Sequence, residues 1–188
     1  MEHGTFLDFL HTAEKLKCNT RHSWTSSGRQ ESVAEHSWRL ALMALLCKNE
    51  YPEIDIQKVI TMSLIHDLGE AITGDIPAFL KSNADEIKES KAIEMILSVL
   101  PQAEQQEFRT LFTEMDQMQT MEAKLWKALD NMEALISHNE APLNTWLPIE
   151  FTANLTYGDE NCAWSPWTAE LKRLICNDSI RKIQEEST

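Results

Sequence analysis

The chain has 188 residues, the size of one domain with a substantial core. Its 43% hydrophobic and 25% charged residues with only five glycines exclude extended disorder and lean towards helix. Thirty acidic against seventeen basic residues give a net charge of -13, which argues against binding to the backbone of a nucleic-acid polymer or to an anionic membrane. An anionic small molecule would have to be drawn in locally, inside a cleft.

Apolar positions at Phe6, Phe9, Leu10, Ala13 and Leu16 predict a first helix from about Thr5 to Lys17. Asn19 to Glu31 then loses the period and reads as a polar loop carrying Arg21, His22, Trp24, Gly28 and Arg29. Trp24 either folds back over the core or joins Arg21 as a substrate wall, since a guanidinium fork suits phosphate and an indole offers a flat face. Ser32 and Glu35 form a capping box, so a second helix starts there and runs to about Lys48. It places His36 in the first turn, where the helix dipole favours the neutral ring that a metal needs.

Asp55 is the expected N-cap of a third helix, which is apolar from Val59 to Ile65 and ends on His66 and Asp67. One imidazole and three carboxylates, His66, Asp67, Glu70 and Asp75, follow one another directly after that buried run. Ionised carboxylates are costly to bury unpaired, so the cluster calls for a cation. His66 and Glu70 are expected one above the other on the helix, with Asp67 about 100° round. Adjacent His and Asp reach one ion only if the helix ends there, which Gly69 and Gly74 allow. Asp75-Ile76-Pro77 reads as a turn entering a short helical piece, with Asp75 as an alternative cap.

Asn83 and Glu86 mark the next start, leading to Leu100 and stopping at Pro101, and a further helix covers about Gln102 to Met115. Thr120 to about His138 carries the broadest apolar stripe, with Asp130 beside Leu129 and Met132. A carboxylate there needs a cation or a salt bridge, for which Lys127 and Lys124 compete. Asn139 to Asn161 is irregular and aromatic, a lid or a dimer contact. Ser165-Pro166-Trp167 opens a last helix to about Cys176, ahead of a polar tail.

Cys18, Cys47, Cys162 and Cys176 are widely spaced with no CxxC pair and no signal peptide, so free thiols in a reducing cytoplasm are expected. No apolar run approaches the roughly 18 to 20 residues that span a bilayer.

His36, then His66-Asp67, then Asp130 make an H, HD, D order. In this order the sequence resembles the HD-domain metal-dependent phosphohydrolases. The segments Arg21 to Trp24, Glu31 to Ser37, His66-Asp67-Leu68-Gly69-Glu70 with Thr73-Gly74-Asp75, and Lys127-Ala128-Leu129-Asp130 are similar to the 5'-deoxynucleotidase branch. The resemblance implies an all-α HD-domain helical bundle in one domain over 1–188, with a metal-binding core at about 31–138 and a helical extension at about 139–188. It implies one divalent transition metal, Mn, Co, Fe, Ni or Zn, on His36, His66, Asp67 and Asp130, with Glu70 handling the attacking water and Asp75 the leaving 5'-oxygen. Arg21 would hold the phosphate, Trp24 would lie by the sugar, the substrate would be a nucleoside monophosphate, and the protein would be a homodimer. Other HD-domain hydrolases act on cyclic nucleotides, guanosine tetraphosphate or triphosphates, and fold likeness does not choose among these esters or exclude a non-catalytic sensing module.

Overall fold

The computed structural model describes residues 1–186. It is built from α1 (His3–Ala13), a hairpin of β1 (Thr20–Trp24) and β2 (Gln30–Ser32), α2 (Val33–Leu46), α3 (Ile56–Ile65), the single turn α4 (Glu70–Thr73), α5 (Asn83–Leu97), α6 (Gln102–Gln117), α7 (Met121–Glu140), α8 (Glu150–Thr156), α9 (Asp159–Cys162) and α10 (Pro166–Glu186). The all-α expectation holds, with one small hairpin added.

Side-chain caps set half of the helix starts. Ser32 and Glu35 cap α2 reciprocally, Asp55 accepts the Lys58 N–H, and Thr120 accepts the Ala123 N–H. The box at α5 uses Ser82 with Asp85, one residue ahead of the expected Asn83 and Glu86. Ser165 accepts the Thr168 N–H ahead of α10, with Pro166 as the first helical residue, where a missing N–H costs nothing.

The core is organised around α7. Its Leu125, Ala128, Leu129, Met132 and Leu135 are buried against Val33, Leu40 and Ala44 of α2 and Val59 and Met62 of α3, and α10 packs along another flank. No described helix is long and apolar enough to cross a membrane.

Four expectations change. Residues 19–31 are an antiparallel hairpin, Thr20 opposite Ser32 and Trp24 opposite Gln30, whose polar strand sequence gives no apolar alternation. Gly28, at φ 83°, makes its turn, a conformation that side chains disfavour. The segment 139–161, expected to be irregular, holds α8 and α9. α10 continues past Cys176 to Glu186, tied to α7 where Asn139 donates to the Ile175 carbonyl and accepts from Ser179. Asp75-Ile76-Pro77 enters a turn at Ala78–Leu80 rather than a helical piece, and Asp75 turns towards a cavity.

Candidate metal centre

The capping box fixes the start of α2, and His36, one turn in, projects into the core with 0% exposure. α3 stops at Ile65, and the chain tightens into three-residue turns, Leu68 N–H to Ile65 C=O and Glu70 N–H to Asp67 C=O, both 3.0 Å. His66 and Glu70 therefore do not stack on one continuous α-helix as expected. The tighter turn instead lets neighbouring His66 and Asp67 face the same point. Gly69 lets α5 pack directly on this turn, because a Cβ there would lie 2.6 Å from Glu89 Cγ and 3.1 Å from the Glu89 carbonyl of α5.

His36 Nε2 lies 3.2 Å from His66 Nε2, 3.1 Å from Asp130 Oδ1 and 3.9 Å from Asp67 Oδ2. His66 Nε2 lies 3.1 Å from Asp67 Oδ2 and 3.7 Å from Asp130 Oδ1. The opposite side of each ring settles its tautomer. His66 Nδ1 is 2.9 Å from the Ser63 carbonyl, which only accepts, and His36 Nδ1 meets the Glu133 carboxylate. Both Nδ1 atoms thus carry hydrogen, and both Nε2 lone pairs point at each other and at two carboxylate oxygens. Lone pairs alone converging at 3.1 to 3.9 Å repel, so a cation must lie between them. Without a metal it is a proton: burial and Arg21 lower the proton affinity of His36, but Glu133 and Asp130 outweigh them and push it up to about 9. The spacing suits donors about 2.0–2.2 Å from a shared ion, so the cluster fits a divalent cation. Asp130 divides its oxygens, since Oδ2 takes Lys127 Nζ at 2.8 Å, and of the two competing lysines Lys127 is the partner.

The carboxylates are held ionised. Burial raises the Asp67 carboxyl, but His66, His36 and Arg21 outweigh it and leave it below the usual range; burial of Asp130 is likewise outweighed by Lys127 and the imidazoles. Glu133, with 0% exposure, is pushed up by burial and brought down to about 2 by His36, Arg21 and Arg39. Arg39 Nε donates to Glu133 at 2.6 Å, and Ser137 donates to the same carboxylate and to Glu31.

A cavity of about 380 Å³ opens beside the cluster, lined by Arg21, Asp67, Glu70, Asp75, Lys127, Asp130 and Tyr157 and also by His22, His138, Glu150 and Asn154. Arg21 reaches it from β1, 3.8 Å from Asp67 and 3.7 Å from Glu31, with its Nε lacking any hydrogen bond. Glu70 is 5% exposed, its Oε2 has no hydrogen-bond partner, and burial together with Asp67, Asp75 and Glu89 pushes its carboxyl up to about 10. Burial also raises Asp75, against the pull of Arg21. Trp24, the last residue of β1, is half-buried and is not part of this wall, where His22 stands instead. On the other side of the same donors a larger cavity of about 770 Å³ lies between α5, α6 and α7.

Sequence reasoning missed Glu133 and the His138, Glu150, Asn154 wall. Glu133 left one signal, an acidic residue between the buried Met132 and Leu135 of an apolar stripe.

The HD domain, as a family profile, matches residues 13–171. A 5'-deoxynucleotidase HDDC2 from Bos taurus is 33% identical over 138 residues, covering 71% of this chain and 66% of that protein. The protein of the same name from Dictyostelium discoideum is 33% identical over 147 residues, covering 73% of this chain and 77% of its own. Among solved structures, a predicted metal-dependent phosphohydrolase from Magnetospirillum magnetotacticum MS-1 superposes with a TM-score of 0.81 at 29% identity, over 95% of this chain and 93% of that one. With that profile matching most of the chain and these relatives about a third identical, this chain belongs to the HD-domain family of phosphohydrolases.

Proposed function

We propose that the chain is a metal-dependent 5'-deoxynucleotidase, releasing inorganic phosphate from deoxynucleoside 5'-monophosphates. The observation that carries this is the convergence of four lone-pair donors, His36, His66, Asp67 and Asp130, beside a cavity that also holds the half-buried Arg21 and two carboxyls with raised proton affinity. The relatives named 5'-deoxynucleotidase support the choice of ester.

Two imidazoles with two carboxylates suit Mn, Co, Fe, Ni or Zn. When bound, such an ion supplies Lewis-acid polarisation of phosphoryl oxygens and a lowered pKa for water. The chain's own groups do the rest. Arg21 sets a fixed positive charge against the phosphate, with Lys127 behind Asp130 adding to the field. Glu70, whose Oε2 is unpartnered, would take the proton of the attacking water there once its own carboxyl is ionised, the charge of a bound cation offsetting the burial and the neighbouring carboxylates that otherwise hold it protonated. Asp75, whose carboxyl burial favours in the protonated form, gives a proton to the 5'-oxygen as its bond to phosphorus breaks. Trp24 has no part in this scheme, because His22 occupies the wall beside Arg21.

A homodimer in the cytoplasm belongs to the same proposal. It is supported by the family resemblance, by four free cysteines and by the exposed Trp38, Leu42, Leu45 and Leu46 along α2. The test is phosphate release by metal-stripped protein resupplied with Mn, Co or Zn, on deoxy- and ribonucleoside 5'-monophosphates, 3'-monophosphates, cyclic nucleotides and guanosine tetraphosphate. Release confined to 5'-monophosphates, strongest with the deoxy sugars, is expected. Silence on every ester with metal bound overturns the assignment.

A further inference from the structure

The end of the cavity away from the metal cluster has its own polar design, which the reaction does not use. Glu150, at the start of α8, is 2% exposed yet forms part of the cavity wall. Its Oε2 accepts the Leu147 N–H at 2.6 Å and so closes the entry to the helix. Its Oε1 receives no hydrogen bond from the protein.

The two imidazoles beside that oxygen do not satisfy it. His138 Nε2, 3.7 Å away, donates instead to the His22 carbonyl at 3.2 Å, and its Nδ1 accepts from Asn154 Nδ2 at 3.0 Å. Both nitrogens of His138 are thereby engaged in its neutral form. His22 Nε2 flanks Glu150 Oε1 at 3.3 Å without hydrogen-bond geometry. The bond from Asn154 Nδ2 to His138 leaves Asn154 Oδ1 as a second acceptor on the same wall. A buried carboxylate oxygen without a donor is expensive, and a ligand that brings an N–H there recovers the cost. Phe79, 42% exposed, also lines this cavity and offers an apolar face suited to a flat heterocycle.

We propose that Glu150 and Asn154 form a base-reading subsite that takes the exocyclic amine of a nucleobase, so that this enzyme favours amino-bearing bases over those with a carbonyl at the same position. The inference rests on the nucleotidase reading above, which places the phosphate at Arg21 and hence the base at the far end. Cytosine presents an amine at the edge remote from the sugar, where uracil and thymine present an oxygen. Against a carboxylate oxygen the amine donates, and the carbonyl meets a second acceptor and repels it.

The cleanest test is wild-type kcat/KM on dCMP against dUMP, which differ only in that group. The expected ratio is about tenfold or more in favour of dCMP, the scale of one hydrogen bond to a charged acceptor. In the Glu150→Gln variant the amide oxygen can keep the Leu147 N–H while the NH2 faces the cavity, so the ratio should fall to unity or invert. Equal rates on dCMP and dUMP overturn the subsite and mean that His22 closes on Glu150. A ratio unmoved by Glu150→Gln in active protein overturns the role of Glu150. Failure of both nucleotides to react refutes the nucleotidase reading instead. Calorimetric binding of deoxycytidine against deoxyuridine to the metal-loaded protein then decides the subsite by itself, with tighter deoxycytidine expected and equal affinities overturning it.

Discussion

Glu133 grips His36 from inside the core: both side chains have 0% exposure, and the carboxylate accepts the Nδ1 hydrogen that leaves the opposite nitrogen free to face His66 and Asp130. Groups behind a ligand fix its tautomer and basicity and typically govern affinity by about 10- to 100-fold. In Glu133→Gln the hydrogen bond can persist while the charge is lost. Metal affinity, read by competition with a chromophoric chelator, should fall by about tenfold or more, with helical content unchanged. An unchanged affinity would show that the charge on Glu133 does not tune His36 as a ligand.

Asp130 serves two masters, the imidazoles through one oxygen and Lys127 through the other. Removing it in Asp130→Ala leaves one fewer anion in the cluster and a lysine without its partner. Metal content after dialysis should drop towards zero, and phosphate release with it. A variant that retains full metal and turnover would remove Asp130 from the proposed ligand set.

Glu70→Gln separates proton handling from metal holding. The amide fills the same space but cannot take a proton, so kcat is expected to fall by ~10² or more while metal stoichiometry stays put. Because the native carboxyl is buried among Asp67, Asp75 and Glu89, its neutral replacement should leave the thermal midpoint level or higher. Undiminished kcat would discard the proposed role.

His138 supplies a pH signature. Burial lowers its proton affinity below the ordinary imidazole value, against the opposing pull of Glu150. Above the unfolded value of about 6.5 both states are neutral at this ring and its contribution is complete; as the pH falls below that, the unfolded chain takes the proton first and stability is lost. Urea denaturation between pH 7.5 and 5.5 should therefore show a steeper fall in the native protein than in His138→Gln. Parallel curves would mean that His138 ionises alike in both states.

The starts of α2, α3, α7 and α10 were legible because each is written locally, as a capping residue a few positions from its partner. His36, His66, Asp67 and Asp130 were joined as a set by the resemblance of their order to the HD-domain signature, while charge beside apolar runs marked only the His66-Asp67 stretch and Asp130 one by one. The hairpin was hidden because its strands are short and polar, so nothing in Thr20 to Trp24 alternates. The extent of α10 depends on Asn139 and Ser179, forty positions apart, and the cavity wall depends on α8 meeting β1. Trp24 illustrates the same limit, since a residue type suited to a wall says nothing of whether the strand presents it there.

One feature of α7 bears on what the cavity can measure. Asp130 at the metal cluster and His138 at the far wall stand on the same uninterrupted helix. At about 1.5 Å per residue the eight steps between them span about 12 Å. That interval is a ruler cut in a rigid rod, so Asp130 and His138 keep a fixed separation whatever the guest. On the proposed reading, with phosphate at Arg21 and base near His138, a ligand with one more phosphoryl unit would have to give up one of the two contacts, and length becomes a criterion of recognition alongside chemistry.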